Sequence, residues 1–200
     1  EPLVPLEAST GWNPDEWRIE DYLDDDDSID NLVDYQLSDM ERTWVEAWQA
    51  FVECIDSDYL PGFPIWVDAF RARPNIPDGT PAWKTDFLMK NAEFYREHRI
   101  VIDSWLGERW GTHNLLVQEF PKSRRKFEWQ ARKVQPTRSE RDLAKLVLQF
   151  RPSGIRVKPA TYLPALVAIT QTSIIGSRMR RITPREATRL QGMPDDMFAG

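Results

Sequence analysis

The spacing of the large apolar residues changes character near residue 120, and this change constrains the fold more than any other feature of the chain. Met40, Trp44, Trp48, Phe51 and Ile55 recur every three or four positions, with Val45 and Val52 beside them. That period marks one buried face of a helix. Ser38-Asp39-Met40-Glu41 stands at its start as a capping box, in which the serine hydroxyl and the glutamate carboxylate each accept from a backbone N–H at the helix start. The pattern predicts an amphipathic helix of about five turns. Phe87, Asn91, Phe94, His98, Val101 and Trp105 mark a face of a second helix predicted over 82–106, with Gly107 as its stop. Between the two, Pro61-Gly62, Pro64, Pro74, Pro77 and Pro81 predict an irregular connection over 60–82.

After residue 120 the apolar runs are short, rich in β-formers and bounded by Pro or Gly. Segments 143–150 and 163–170 read as strands, and Arg151-Pro152-Ser153-Gly154 reads as a turn after the first of them. The expectation is an α+β fold: helices over 37–107, then a small twisted, mainly antiparallel sheet with long loops, ending in a helix over 184–191. Residues 1–36 are expected to be an acidic loop or mobile segment, 37–118 the helical part and 119–200 the β region. The last two would form one compact domain, since 200 residues suffice for a sizeable core.

Charge is distributed as unevenly as the apolar pattern. The net −6 conceals 8 Lys/Arg against 23 Asp/Glu in residues 1–100, a balance of −15, and 18 against 9 in residues 101–200, a balance of +9. Asp21, Asp24 to Asp27, Asp30 and Asp34 crowd the acidic end, where mutual repulsion favours a solvated loop. Between residues 120 and 189 there are 17 Lys/Arg and four carboxylates (Glu128, Glu140, Asp142 and Glu186). Basic side chains interleaved with turns and short strands are a means of reaching phosphates and base edges, although a solvated face is the plainer reading of any such run. Cys54, alone in the chain, excludes a disulfide framework and reads as a structural thiol on the first helix. His98 lacks a partner at ligand spacing and reads as a satisfied polar side chain, not a metal ligand. Phosphate loops, nucleophile elbows, paired histidines and Cys-x-x-Cys are all absent, so the chain does not read as an enzyme by itself.

The last twenty residues carry a more specific signal. Thr183-Pro184-Arg185-Glu186 is a second capping box with Pro at the first helical position, and Gly192 and Pro194 supply the stop. The run Ile182-Thr-Pro-Arg-Glu-Ala-Thr-Arg-Leu-Gln-Gly-Met-Pro-Asp195 resembles the ninth conserved motif of the DNA cytosine-5 methyltransferases, Leu-Thr-Pro-Arg-Glu-x-x-Arg-Leu-Gln-Gly-Phe-Pro-Asp, with Met193 in place of Phe. Pro164-Ala-Leu-Val-Ala-Ile-Thr-Gln171 resembles the Thr-bearing strand of that family's target-recognition region. Residues 120–129 and Arg151-Pro-Ser-Gly-Ile-Arg156 are similar to stretches of a bacterial subgroup. The family's catalytic Cys in a Pro-Cys motif, its Gly-rich and Glu-Asn motifs and its closing Gly-Asn motif are missing. Cys54, in Glu-Cys-Ile, matches none of them.

The resemblance implies the specificity half of a bacterial cytosine-5 methyltransferase of a restriction–modification system. It also implies a cytoplasmic protein that works at the nucleoid, with no membrane contact. The chain, which opens on Glu1 without a signal peptide, is expected to be a piece of that longer protein. Double-stranded DNA and the missing catalytic domain are the implied partners. S-adenosylmethionine is expected in the catalytic domain and not in this chain, which should also hold no metal and no catalytic residue. By this resemblance Thr170 positions DNA backbone, and Gln171 stands where a Leu is usual. Arg156, on the loop before that strand, is the first candidate for base contact, with Ser153 and Gly154 on the same loop. Arg124, Arg125, Lys126, Arg151 and Lys158 are phosphate candidates, while Arg185 and Arg189 hold the final helix to its neighbours. The alternative is a protein-interaction module whose basic half docks an acidic partner or its own residues 1–36.

Overall fold

The computed structural model describes residues 17–163 and 172–194. Its first helix, α1 (Asp39–Cys54), begins at the expected capping box: Ser38 Oγ accepts from Glu41 N–H at 3.3 Å, and Glu41 Oε2 accepts from Ser38 N–H at 3.1 Å. Val45, Trp48, Phe51 and Val52 are buried on one face, as the spacing requires. Cys54 is half-buried at its end, where desolvation, reinforced by Glu108, pushes the thiol up to about 11. That is a structural thiol, not a nucleophile.

The predicted second helix is two helices, α2 (Ala82–Glu97) and α3 (Arg99–Gly107), meeting at His98 with φ −112° and ψ 22°. The marked face does not continue straight through. α2 turns Asn91, Phe94 and Tyr95 inward, whereas α3 must bury Ile102 and Trp105 against α1, where Trp105 Nε1 donates to Ala47 O at 2.7 Å. A change of direction at His98 satisfies both faces. His98 itself lies against the Phe94 ring, 4.8 Å between centroids, and burial lowers its pKa.

Among the described residues six strands form one open sheet. They are β1 (Ile65–Trp66), β2 (Lys126–Trp129), β3 (Leu146–Arg151), β4 (Gly154–Pro159), β5 (Ile174–Ile175) and β6 (Arg180–Arg181), in the order β1-β2-β4-β3-β5-β6. Among these strands all pairings are antiparallel except β2 with β4. A closing helix, α4 (Pro184–Arg189), follows β6, so the α+β architecture expected from the sequence is present. Three expectations change. The connection over 60–82 supplies the edge strand β1. Residues 143–145 form a 3-10 turn, so the strand begins at Leu146. And residues 154–159, read as a loop, are the strand β4 at the heart of the sheet. Within β4, Gly154, Ile155 and Val157 are buried and Arg156 and Lys158 half-buried. That is the period of two, obscured in sequence by its brevity and its terminal proline. The predicted strand at 163–170 falls almost wholly outside the described residues.

Period two divides the sheet into two faces. Phe127, Trp129, Leu146, Leu148, Phe150, Ile155 and Val157 join α1 and α3 in the main core. At its centre the fully buried Trp48 stacks on Phe127 with 4.6 Å between centroids and donates from Nε1 to Arg124 O at 2.9 Å. α2 closes the β1 edge through a buried side chain. Asn91 Oδ1 accepts from Trp66 N–H at 2.7 Å and its Nδ2 donates to Pro64 O at 3.0 Å, supplying the partners an edge strand lacks.

Replacement of Trp48 by alanine removes the ring on which α1 and the sheet meet. The expected loss is about 3–5 kcal/mol of unfolding free energy, measured by urea titration.

Candidate nucleic-acid interface

The second face of the sheet is polar. Lys126 and Glu128 alternate outward on β2, and Arg156 and Lys158 on β4. Glu128 lies directly opposite Arg156 in the parallel pair, with Gln149 of β3 on its other side. Arg156 Nε donates to Glu128 Oε2 at 2.8 Å. The charge is crowded at Lys158, whose ammonium lies 5.2 Å from the Tyr162 ring centroid. Burial first, then Arg156 and Arg151 against the relief of Glu128, hold its pKa below the ordinary lysine value.

Beside this face runs a groove of about 970 Å³. One wall is the start of α2, with Trp83, Lys84 and Phe87, and the other is Lys126, Glu128, Ser153, Gly154 and Arg156. Trp83 is 60% exposed at the rim, and Lys126 Nζ lies 5.3 Å from the Trp66 ring centroid. Gly154 is needed at the β3–β4 turn. Its φ is +142°, and a Cβ there would stand 2.8 Å from Lys126 O.

Of the residues singled out from sequence, Ser153, Gly154, Arg156 and Lys126 therefore share the groove, and Lys158 lies next to it. Arg156 is on a strand, not on the expected loop. Other phosphate candidates turn inward. Arg124 lies 5.1 Å from the Trp44 ring centroid and 4.9 Å from that of Phe150, and donates from Nη1 to Arg151 O at 2.9 Å. Burial lowers its pKa, so it is built into the core side of the sheet. Arg125 is paired with Asp68 at 2.7 Å. Arg151 ends β3, half-buried, opposite Gly154. Thr170 and Gln171 lie outside the described residues.

The 182–194 motif forms the helix its sequence prescribes. Thr183 Oγ1 accepts from Glu186 N–H at 3.1 Å, Glu186 Oε2 accepts from Thr183 N–H at 2.8 Å, and Pro184 occupies the first turn. Gly192 closes it with φ +74°, as Gly192 N–H donates to Arg189 O and Met193 N–H to Thr188 O. Arg185 and Pro194 are exposed. Glu186 does more than cap. Its side chain and that of Arg180 are both 0% exposed, joined by Nη2···Oε1 at 2.7 Å and Nη1···Oε2 at 2.9 Å. Glu186 Oε1 also accepts from Asp24 N–H, while Arg180 Nε donates to Asp26 and Arg189 to Asp24 and Tyr22 O. Burial raises the Glu186 pKa, but Arg180 and the Thr183 and Asp24 amides together bring it below the ordinary value.

The described part of the acidic segment is thus a loop of short 3-10 turns held by arginines. Among the described residues no three His, Cys, Asp or Glu side chains group to hold a metal ion, and no helix is long and apolar enough to cross a membrane. Sequence reading missed Arg180, Glu128 and Arg141. The buried Arg141 donates to the carbonyls of Val52, Ile55 and Ser57 and so ties off the end of α1. Each is one more basic or acidic residue in the sequence, and only strand register or a long-range contact distinguishes it.

The chain is 35% identical to the Type II methyltransferase M.AluI of Cellulosimicrobium cellulans, in an alignment of 237 positions that covers 96% of the chain and 43% of that protein. It therefore spans less than half the length of the relative, and the methyltransferase resemblance read from its sequence is borne out. No family model matches the chain, and no solved structure does.

Replacing Arg180 by alanine strands a buried carboxylate and is expected to cost about 3–5 kcal/mol in urea titrations at pH 7. Because the folded-state pKa of Glu186 is depressed, its contribution is present above the unfolded value of about 4.3 and is lost as pH falls through the folded pKa. Urea midpoints measured from pH 6 downward should show this loss in the native chain and less of it in Glu186→Gln.

Proposed function

We propose that this chain, similar over nearly its whole length to part of a type II methyltransferase, is the DNA-recognition half of a bacterial DNA cytosine-5 methyltransferase of a restriction–modification system. Double-stranded DNA lies along the groove and the polar sheet face, with Lys126 and Lys158 against phosphates and Ser153, Gly154 and Arg156 towards base edges. The observation that carries this reading is that Lys126, Ser153, Gly154 and Arg156 line one groove with Lys158 next along the same face of β4, while the nearby carboxylate Glu128 is engaged by Arg156, so that Lys158 keeps positive potential that a phosphate would relieve. An exposed tryptophan at the rim adds an apolar surface for sugar or base.

Cytosine methylation itself belongs to the rest of the protein. In that half a thiolate adds to the ring and S-adenosylmethionine supplies the methyl group. The groove does not fit this cofactor. Its two acidic side chains are engaged, Asp68 with Arg125 and Glu128 with Arg156, and the cations on its walls repel a sulfonium. On this reading the chain alone is a binding unit, and the catalytic domain is its partner within one protein.

A second reading has one observation in its favour. Arg178 pairs with Glu20 and Asp26, Arg180 with Asp26, and Arg189 with Asp24, so part of the basic half docks its own acidic segment. That accounts for residues 178–189, but at the groove the contact is of a different kind, since Arg156 pairs within the sheet with Glu128 and Lys126 lies against the Trp66 ring. The two readings separate in a salt titration. Binding of a random-sequence duplex, followed by fluorescence anisotropy, should weaken with a log–log slope of about −0.9 per neutralised phosphate. Lys126→Ala and Lys158→Ala should each lower that slope by about one. Binding indifferent to salt, or to both substitutions, would favour the interaction module.

A further inference from the structure

We propose that Arg156 is a guanine reader aimed by Glu128, and that Gln130 locks the carboxylate that does the aiming. This rests on the DNA-recognition reading above and assigns its base-reading device. Glu128 and Arg156 are direct cross-strand partners in the β2–β4 pair, so their side chains leave the same face of the sheet side by side. Each is 25% exposed, and the contact is made through one guanidinium nitrogen only, Nε to Oε2 at 2.8 Å. The other carboxylate oxygen accepts from Gln130 Nε2. With both oxygens engaged the carboxylate cannot swing towards an approaching phosphate, and the guanidinium is held by its inner edge.

The consequence lies in what remains unused. Among the described residues, neither Nη group of Arg156 has a hydrogen-bond partner. By contrast Arg180 gives both to Glu186, and Arg141 gives both to backbone carbonyls. Arg156 thus presents two parallel donors into the groove on a side chain whose torsional freedom is already spent. Two donors in that fork match the O6 and N7 acceptors of guanine in the major groove. A flexible arginine loses rotamer entropy on making the same contact, so the Glu128 clamp favours recognition without touching DNA. Gly154, opposite Arg151 at the neighbouring turn, carries no side chain to obstruct the approach. Glu128 is therefore a positioning residue, and its negative charge also disfavours phosphate contact at this spot, which keeps the arginine for a base.

The test selects binding sequences from a randomised duplex pool with the full chain and with Arg156→Lys, Glu128→Ala and Glu128→Gln. Each guanine of the selected duplex is then replaced in turn by 7-deazaguanine, which lacks the N7 acceptor. The native chain should lose about tenfold in affinity at one guanine. Arg156→Lys and Glu128→Ala should no longer discriminate at that position, so that their affinity for the selected duplex falls towards their own affinity for a random one. Glu128→Gln, whose amide oxygen still accepts from Nε, should recover most of the discrimination, a rescue that damage to the sheet would not produce. If the variants select the same sequence with the same sensitivity to 7-deazaguanine, Arg156 is not the reader and this proposal alone is overturned. A native chain that binds duplex selectively yet is indifferent to 7-deazaguanine at every position has the same meaning. A native chain that binds no duplex overturns the recognition reading and this proposal with it.

Discussion

The C-terminal end of the sheet depends on one ion pair with no access to solvent. Taking Arg180 and Glu186 out of water is costly, and a buried pair survives only when geometry is good and every remaining donor and acceptor is used. Here the pairing is bidentate, the carboxylate also receives the Thr183 and Asp24 amides, and the guanidinium also reaches Asp26. One side chain therefore caps α4, holds it to β6 and ties down the acidic segment. Around this knot the apolar residues Ile19, Val147, Ile175 and Ile182 form a small second core on the polar side of the sheet. That covers one end of the face and leaves the end bearing Arg156 beside the groove.

The charge asymmetry of the chain acquires a different meaning from this arrangement. Much of the positive excess does not face outward. Arg124 lies between aromatic rings, Arg141 terminates α1, and Arg178, Arg180, Arg181 and Arg189 answer acidic residues from the other half of the chain. An arginine buried in this way contributes hydrogen bonds and packing rather than surface potential. The cations that remain at the groove are few and close together, a pattern that supports the proposed recognition of a defined site better than a broad positive surface would.

The helical part serves the same end. α1 packs beneath the sheet and holds its apolar face, while α2 closes the β1 edge through Asn91 and extends its first turn as the far wall of the groove. The groove is consequently made by elements far apart in sequence.

Several features were legible from residue order because they are local. Capping boxes at Ser38 and Thr183 act over three residues, and the buried stripe of α1 repeats over four, so neighbours in sequence suffice to specify them. The methyltransferase resemblance of 182–195 is likewise a property of consecutive residues. The break at His98, the strand character of 154–159, the inward turn of Arg124 and the Glu128–Arg156 contact were not legible. Each depends on which segment lies alongside, and strand register brings together residues 28 positions apart that no periodicity relates. Sequence alone determined the helix starts, the α+β class and the supply of charge. The tertiary structure decided which charges are consumed inside the molecule and which are presented, because that is settled by desolvation and partner geometry, both properties of the packed chain.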